Sequence, residues 1–182
     1  MMHTTRRQWL AFCSSILAGA SLALLGCAGY QVGNHSLYRQ DVQTVHVPVF
    51  QSDSFRPFLG ERLTESVIKQ IELRTPYKVV GSQAADSTLQ GRVLGDTKAV
   101  LVENSYDEPR ELEVGMRVQV TWINHRGQAI GPPQNFPIPA ELIDITQSTN
   151  FVPEVGQSMV TQEQIVINRL ASQIVSTMEM PW

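Results

Sequence analysis

The stretch ELEVGMRVQVTWIN, residues 111–124, alternates apolar and polar side chains along its length. Apolar side chains occupy every second position from Leu112 to Trp122, and charged, polar or glycine residues lie between them. This period of two is typical of a β-strand that buries one face and exposes the other in an antiparallel sheet. The chain therefore needs an apolar layer that covers one face of a sheet.

Two segments with a helical period provide that layer. The sequence predicts one helix over residues 57–74 and another over residues 158–178, in which apolar residues recur three or four positions apart. The two stripes consist of Leu59, Leu63, Val67 and Ile71 in the first helix and of Ile167, Leu170, Ile174 and Met178 in the second. Two amphipathic helices on one face of a sheet make a two-layer α+β sandwich.

The first predicted strand, TVHVPVF, covers residues 44–50. Pro48 lacks an amide donor, so this strand is expected at an edge of the sheet or with a bulge. YKVVG, residues 77–81, fits a further short strand. Three residues of the first strand alternate and are expected on one face, namely Val45, Val47 and Val49.

Two longer segments complete the predicted sheet. Residues 87–103 alternate until a shift near Gly95, which predicts a bulge or a bend. Residues 135–145 contain Pro137 and Pro139, which confine a strand to an edge. We therefore expect about four strands, mainly antiparallel, in the order β-α-β-β-β-α, with both helices on one face of the sheet.

The loop ENSYDEPRE, residues 103–111, joins the two longest predicted strands. Strands of this length that pair directly form a hairpin that projects from the domain. Tyr106 and Arg110 are residue types that dominate protein interfaces, so they are candidate contacts with a partner. The alternative is an ordinary solvated turn.

The sequence contains no recognisable catalytic arrangement. His35, His46 and His125 lie at no metal-ligand spacing from one another or from a cysteine. Nucleophile elbows, phosphate-binding glycine loops and EF-hand loops are absent from the sequence. The formal net charge is −3 and there is no basic block, which argues against nucleic acid as a partner. We therefore expect no enzymatic activity, no metal and no cofactor.

Residues 1–26 are typical of a secretory signal. Arg6 and Arg7 precede an apolar run of about 15–17 residues, which is short for a membrane span. The run ends at Gly26, and the letters LLGC resemble a bacterial lipobox. In precursors of that type the signal is cut before the cysteine, which is then acylated. Cys27 is therefore the predicted lipid-attachment residue, and an ordinary signal followed by a free cysteine is the alternative.

The predicted cleavage divides the chain into three parts. It removes Cys13 with the signal, so no intrachain disulfide is expected. Residues 27–40 are then a lipid-anchored polar tether, and residues 41–182 form a single α+β domain. Ala28 stands where an aspartate often retains similar lipoproteins in the inner membrane, so the outer membrane is favoured. The paired arginines also resemble a twin-arginine signal, which leaves two export routes open.

Several of these segments occur together, in order, in one known family. The segments CAGYQVG, VHVPVF, RTPYKVV at the end of a helix, ADSTLQGRV and VQVTW resemble the LptE family of lipopolysaccharide-assembly lipoproteins. The resemblance covers about residues 27–178 and implies a sandwich of two helices and four strands. It also implies a non-enzymatic lipoprotein that plugs the outer-membrane barrel protein LptD, assists its assembly and helps deliver lipopolysaccharide to the cell surface.

Lipopolysaccharide is a second partner that the resemblance implies. Some members of the family bind it through basic residues near the strand-joining loop, whereas here Arg110 is the one basic residue of that loop. A phosphate-bearing lipid would meet like charge there, so we expect barrel contact and not lipid contact at this loop. The acidic residues of the loop are Glu103, Asp107, Glu108 and Glu111.

A different class of lipoprotein is the alternative. ADSTLQGRV after a helix and a strand also resembles lipoproteins of the LpoB and CsgG groups, which have small α+β domains and a lipid anchor. That resemblance implies an activator or assembly subunit of another envelope complex.

Overall fold

The computed structural model describes residues 37–82, 84–130 and 143–180. Within them, six strands and two α-helices follow one another along the chain. The strands are β1 (Thr44–His46), β2 (Gln51–Ser52), β3 (Lys78–Val80), β4 (Ser87–Glu103), β5 (Pro109–Asn124) and β6 (Ile143–Phe151). The helices are α1 (Leu59–Arg74) and, after a short 3-10 helix at Pro153–Val155, α2 (Met159–Ser176).

The strands form one mixed sheet in the order β3-β1-β4-β5-β6, with β2 also paired to β4. β4, β5 and β6 run antiparallel to one another, whereas β1 is parallel to β3 and β4, and β2 is parallel to β4. The predicted α+β fold is confirmed, although the described sheet has six strands where about four were expected. β3 lies within the short strand predicted over residues 77–81, whereas β2 has only two residues, so alternation cannot identify it.

The helices α1 and α2 pack on one face of the sheet, and the core lies between the two layers. Every apolar residue in the β5 row from Leu112 to Trp122 is at most 6% exposed, which confirms the predicted one-sided burial. The predicted stripes of both helices are buried as well, and each helix lies within two residues of its predicted bounds.

The register of β4 against β5 confirms the predicted irregularity near Gly95. Pairing shifts between Val93 and Gly95, and two further shifts lie between Val100 and Val102 and between Val102 and Glu103. Bulges of this kind bend a strand and increase its twist. The long β4-β5 hairpin is therefore irregular near Gly95 and again near the outer end of β4.

The predicted first strand over residues 44–50 is wrong in its second half, and its placement at an edge is also wrong. β1 lies between β3 and β4 and ends before Pro48, because proline cannot donate to the next strand. Val49 is 62% exposed, whereas Phe50 is 3% exposed and takes the buried position. A Cβ atom on Gly91 would lie 2.5 Å from the Phe50 ring, so this glycine makes room for the ring.

The predicted strand over residues 135–145 overlaps β6 only at its end. Pro137 and Pro139 lie outside the described residues. β6 lies at one end of the sheet, as predicted for this segment. The alternation in β6 is weak in the sequence because two residues that face the helices are polar. These residues are Gln147 and Thr149, which pair with buried residues of β5.

The one-sided burial of β5 predicts a large difference between two neighbouring substitutions. Trp122 is 6% exposed and its ring centroid lies 5.9 Å from that of Tyr77, while its indole N–H has no acceptor among the described residues. Trp122→Ala is therefore expected to lower the free energy of unfolding by about 3–5 kcal/mol through lost packing. Thr121→Ala is the control, because Thr121 faces the opposite side. Denaturant midpoints measure both losses, and equal losses would contradict the one-sided sheet.

Candidate functional site

The part of the sheet that projects farthest is residues 99–111, which we call the outer hairpin. The antiparallel pairing of β4 with β5 continues as far as Glu103 and Pro109. β6 accompanies β5 only to Leu112, which pairs with Val100, so beyond Val100 the outer hairpin has two strands within the described part of the chain. At about 3.3 Å per residue, its paired strands extend roughly 10 Å beyond the three-stranded region, and the turn at residues 104–108 follows.

Asn104 organises the turn of the outer hairpin. Its side-chain oxygen accepts hydrogen bonds from the amides of Tyr106 and Glu108, both at 2.9 Å. Asp107 has a φ of 60°, a left-handed conformation that aspartate adopts more readily than most residues. This turn places Tyr106 at the tip with 83% of its surface exposed.

The structure separates the roles of the two predicted contact residues. Tyr106 stands at the tip, whereas Arg110 forms an ion pair with Glu154 of the short 3-10 helix. This pair connects the side of the outer hairpin to the segment that follows β6. Arg110 therefore positions the hairpin and is not a free cation at its tip.

The outer hairpin is acidic. Two of its carboxylates accept hydrogen bonds from neutral side chains, since Glu108 accepts from Asn104 at 2.8 Å and Glu111 accepts from Asn150 at 3.1 Å. None of its four carboxylates forms an ion pair with another described residue, so the tip keeps a local negative charge. The four are Glu103, Asp107, Glu108 and Glu111.

A network of charges holds the base of the hairpin against the helices. The Glu163 carboxylate, 7% exposed, lies 2.7 Å from Nη1 of Arg56 and 2.8 Å from Nη1 of Arg62. Arg56 also places its Nε 2.7 Å from Oδ2 of Asp96 in β4. The network joins α2 to the segment before α1, to α1 itself and to β4. Sequence reasoning misses it because the partners of Glu163 are more than 100 residues away.

The face of the sheet opposite the helices forms a shallow concavity of about 720 Å³. Its lining is mostly polar and includes His46, Gln90, Gln119 and Thr121. Nδ1 of His46 lies 3.0 Å from the carbonyl oxygen of Val80, a contact that links β1 to β3. Within residues 37–82, 84–130 and 143–180, no group of three or more His, Cys, Asp or Glu residues is placed to hold a metal ion.

Two groups with shifted pKa values fasten the chain near β1 to its neighbours. A hydrogen bond from the Thr44 hydroxyl, with further ones from the amides of Thr44 and Gln43, holds the pKa of Asp86 below its ordinary value. Burial raises the pKa of Tyr77 to about 12. The Tyr77 hydroxyl oxygen accepts a hydrogen bond from the Arg39 amide at 2.9 Å. Both interactions support the fold.

Cys27, the predicted lipid-attachment residue, lies outside the described residues, as does His35. In the part of the chain that is described, no helix combines the length and the apolar character needed to cross a membrane. The sites that the structure does describe are therefore the outer hairpin, the charge network at its base and the open face of the sheet.

Comparison with protein families gives a match over most of the chain. The family model described as LptE, lipopolysaccharide-assembly, matches residues 42–179. No protein in the curated set matches the sequence.

Solved structures with a similar fold include several bacterial lipoproteins. The uncharacterized lipoprotein B from Nitrosomonas europaea has a TM-score of 0.50 at 13% identity, covering 80% of this chain and 90% of that one. The rare lipoprotein B from Shewanella oneidensis has a TM-score of 0.47 at 14% identity, covering 75% of this chain and 93% of that one. A minor lipoprotein from Acinetobacter baumannii has a TM-score of 0.47 at 16% identity, with 74% and 93% covered.

The charge network at the hairpin base predicts unequal effects of two identical chemical changes. Glu163→Gln is expected to lower the free energy of unfolding by about 1–3 kcal/mol, because two partly buried guanidinium groups lose their shared counter-charge. Glu65→Gln removes the same charge from an exposed pair with Lys69 and is expected to leave stability unchanged. Thermal and denaturant unfolding compare the two variants. Equal midpoints would show that the network does not stabilise the fold.

Proposed function

The chain belongs to the LptE family of lipopolysaccharide-assembly lipoproteins, and we propose that it is the plug and assembly partner of an LptD-like outer-membrane barrel. In this role the lipoprotein lies inside the barrel that delivers lipopolysaccharide to the cell surface, and it assists the assembly of that barrel. The LptE family is a family of non-catalytic assembly lipoproteins. The proposal accordingly involves binding and positioning and no chemical step.

The family match over residues 42–179 is the observation that carries this proposal. That span contains every strand and helix of the described domain, from β1 to α2. The match therefore concerns the folded domain and not only an N-terminal signal, which lipoproteins of unrelated function share. It favours assembly of the lipopolysaccharide export machinery over regulation of another envelope complex.

The charge of the outer hairpin supports contact with protein at its tip. Lipopolysaccharide carries phosphate groups, and the four carboxylates of the outer hairpin would repel them. We therefore propose the hairpin as a contact with the barrel and assign any contact with lipopolysaccharide to other surfaces of the domain. Tyr106, exposed at the tip, is the aromatic contact that this proposal uses.

We further propose that acyl chains on Cys27 anchor the mature protein in the outer membrane, facing the periplasm. Stable attachment takes two lipid signals, and a triacylated cysteine exceeds that requirement. The ten peptide links from Cys27 to the first described residue, Leu37, span at most about 36 Å. This short reach would keep the domain beside the membrane that holds its barrel partner.

Cys27→Ser tests the anchor separately from the fold. The variant is expected to leave the membrane fraction, because every acyl chain depends on this residue, while thermal unfolding of the domain stays unchanged. Cell fractionation in detergent-free buffer of high ionic strength measures the first effect. Persistence of the variant in membranes after barrel contacts have been dissolved would contradict the lipid anchor.

Affinity purification of the tagged full chain from solubilised outer membrane tests the partner. An LptD-like barrel is the expected protein in the eluate, identified by mass spectrometry. A cell-wall synthase or a secretion subunit in its place would overturn the proposal and support the alternative lipoprotein class.

Tyr106→Ala tests the tip in the same purification. The variant is expected to weaken association with the barrel by about 2 kcal/mol or more, as is usual for a central interface aromatic. Its melting temperature is expected to stay unchanged, because exposed substitutions rarely exceed about 0.5 kcal/mol. Phe55→Ala is the control, since Phe55 is an exposed aromatic outside the hairpin. Full recovery of the barrel with Tyr106→Ala would leave the tip as a solvated turn.

A further inference from the structure

Four consecutive apolar residues of β4 are exposed in the outer hairpin. They are Ala99, Val100, Leu101 and Val102, and the last three have 46%, 46% and 48% of their surface exposed. Across a register shift, Val100 pairs with Leu112 and Val102 pairs with Glu111, and these consecutive residues of β5 point to opposite faces. Apolar surface is therefore present on both faces of the hairpin at this level.

The two faces differ in what lies beside the run. On the helix side, Val100 pairs with Leu112, which is buried with Phe151 and the partly buried Met159 in a small apolar cluster. Val100 extends that cluster into solvent. On the other side, Val102 pairs with Glu111 near the acidic turn.

The outer edge of β4 is also open along this run. β2 pairs with β4 only at Arg92 and Val93, and in the described chain no other strand pairs with the edge beyond them. A segment with high β-propensity, an open edge and no nearby cover is prone to aggregate. The irregular register at Val100 and Val102 gives the edge partial protection, but it leaves the side chains exposed.

Charge determines which kind of surface can cover this run. The outer hairpin carries four carboxylates, and its one guanidinium group, on Arg110, is paired with Glu154. A second copy would place the same acidic residues against each other, and an anionic lipid surface would repel them. A protein cleft with an apolar floor and a rim of lysine or arginine fits both the apolar run and the charge.

We infer that the outer hairpin inserts into an apolar slot of the barrel partner, bordered by lysine and arginine, and that Val100, Leu101 and Val102 contact opposite walls of the slot. This inference rests on the proposed function and adds the contact residues and the chemistry of the partner surface. Tyr106 at the tip then reaches beyond the slot, while the pair of Arg110 with Glu154 fixes the approach of the hairpin.

A double substitution tests both walls of the slot against a matched control. Val100→Thr with Leu101→Gln removes one apolar side chain from each face, and Val49→Thr with Leu73→Gln makes the same changes at exposed positions outside the hairpin. Burial of each aliphatic side chain corresponds to about a tenfold change in affinity or more, so the hairpin variant is expected to bind the barrel about a hundredfold more weakly. The control is expected to bind as the wild type does. Quantified recovery of the barrel from solubilised outer membrane measures both.

The single substitutions separate the two faces. Val100→Thr and Leu101→Gln are each expected to weaken recovery of the barrel. An effect of only one would mean that the hairpin lies on a surface and not in a slot.

A second pair of substitutions, Glu103→Gln and Asp107→Asn, removes two of the hairpin carboxylates that would face the basic rim of the partner. It is expected to reduce recovery and to make the remaining binding less sensitive to salt. Unchanged recovery and unchanged salt dependence would overturn the basic rim.

The outcomes distinguish this inference from the proposed function. If the wild-type chain recovers no barrel, the proposed function fails. If the wild type and the double hairpin variant recover the barrel equally, only the slot fails. A large fall in the melting temperature of the hairpin variant would show that the run belongs to the domain's own core. Loss of self-association or of binding to anionic phospholipid vesicles in that variant, with barrel recovery unchanged, would assign the run to a second copy or to lipid.

Discussion

The structure depends on the burial of one face of β5 beneath two helices that are shorter than this strand. β5 and α1 each contain 16 residues, but a helix rises about 1.5 Å per residue and a strand about 3.3 Å. The helix is therefore about 24 Å long and the strand about 53 Å. The buried row of β5, from Leu112 to Trp122, spans about 33 Å, and the hairpin continues beyond Leu112 without such cover.

The projecting hairpin needs support where it leaves the core, and the charge network supplies it. Glu163 is almost fully buried, and its two arginine partners remain about one-third exposed. Such a network contributes less to stability than to geometry, because the desolvation of a buried carboxylate offsets much of the attraction. Asp96 connects the network to β4 just after the shift at Gly95, where the strand bends. The direction of the hairpin is thus set by contacts with both helical segments.

Sequence reasoning predicts well where burial imposes a strict period. The β5 row, the two helical stripes and the irregularity at Gly95 follow from side-chain spacing alone, and the structure confirms all of them. The prediction fails where a contact with a residue distant in the sequence overrides the local alternation. Val49 continues the alternation of β1 but is exposed, because Phe50 occupies the buried site that Gly91 leaves open.

The candidate site shows the same division. The loop and its acidic charge can be predicted from residues 103–111, but the pairing of Arg110 cannot, because Glu154 lies 44 positions away. A run of four apolar residues in a strand ordinarily indicates burial on both faces. Within this chain the same run, residues 99–102, stays about half exposed, since no described strand pairs with the outer edge of β4 beside it. A domain that needed only its own core would end the hairpin where the helices end. The extra length adds an open edge and exposed apolar surface, both unfavourable for an isolated protein. In an isolated protein, the open edge and the exposed apolar surface of such a hairpin lower stability. A partner that covered both faces at once would remove this loss.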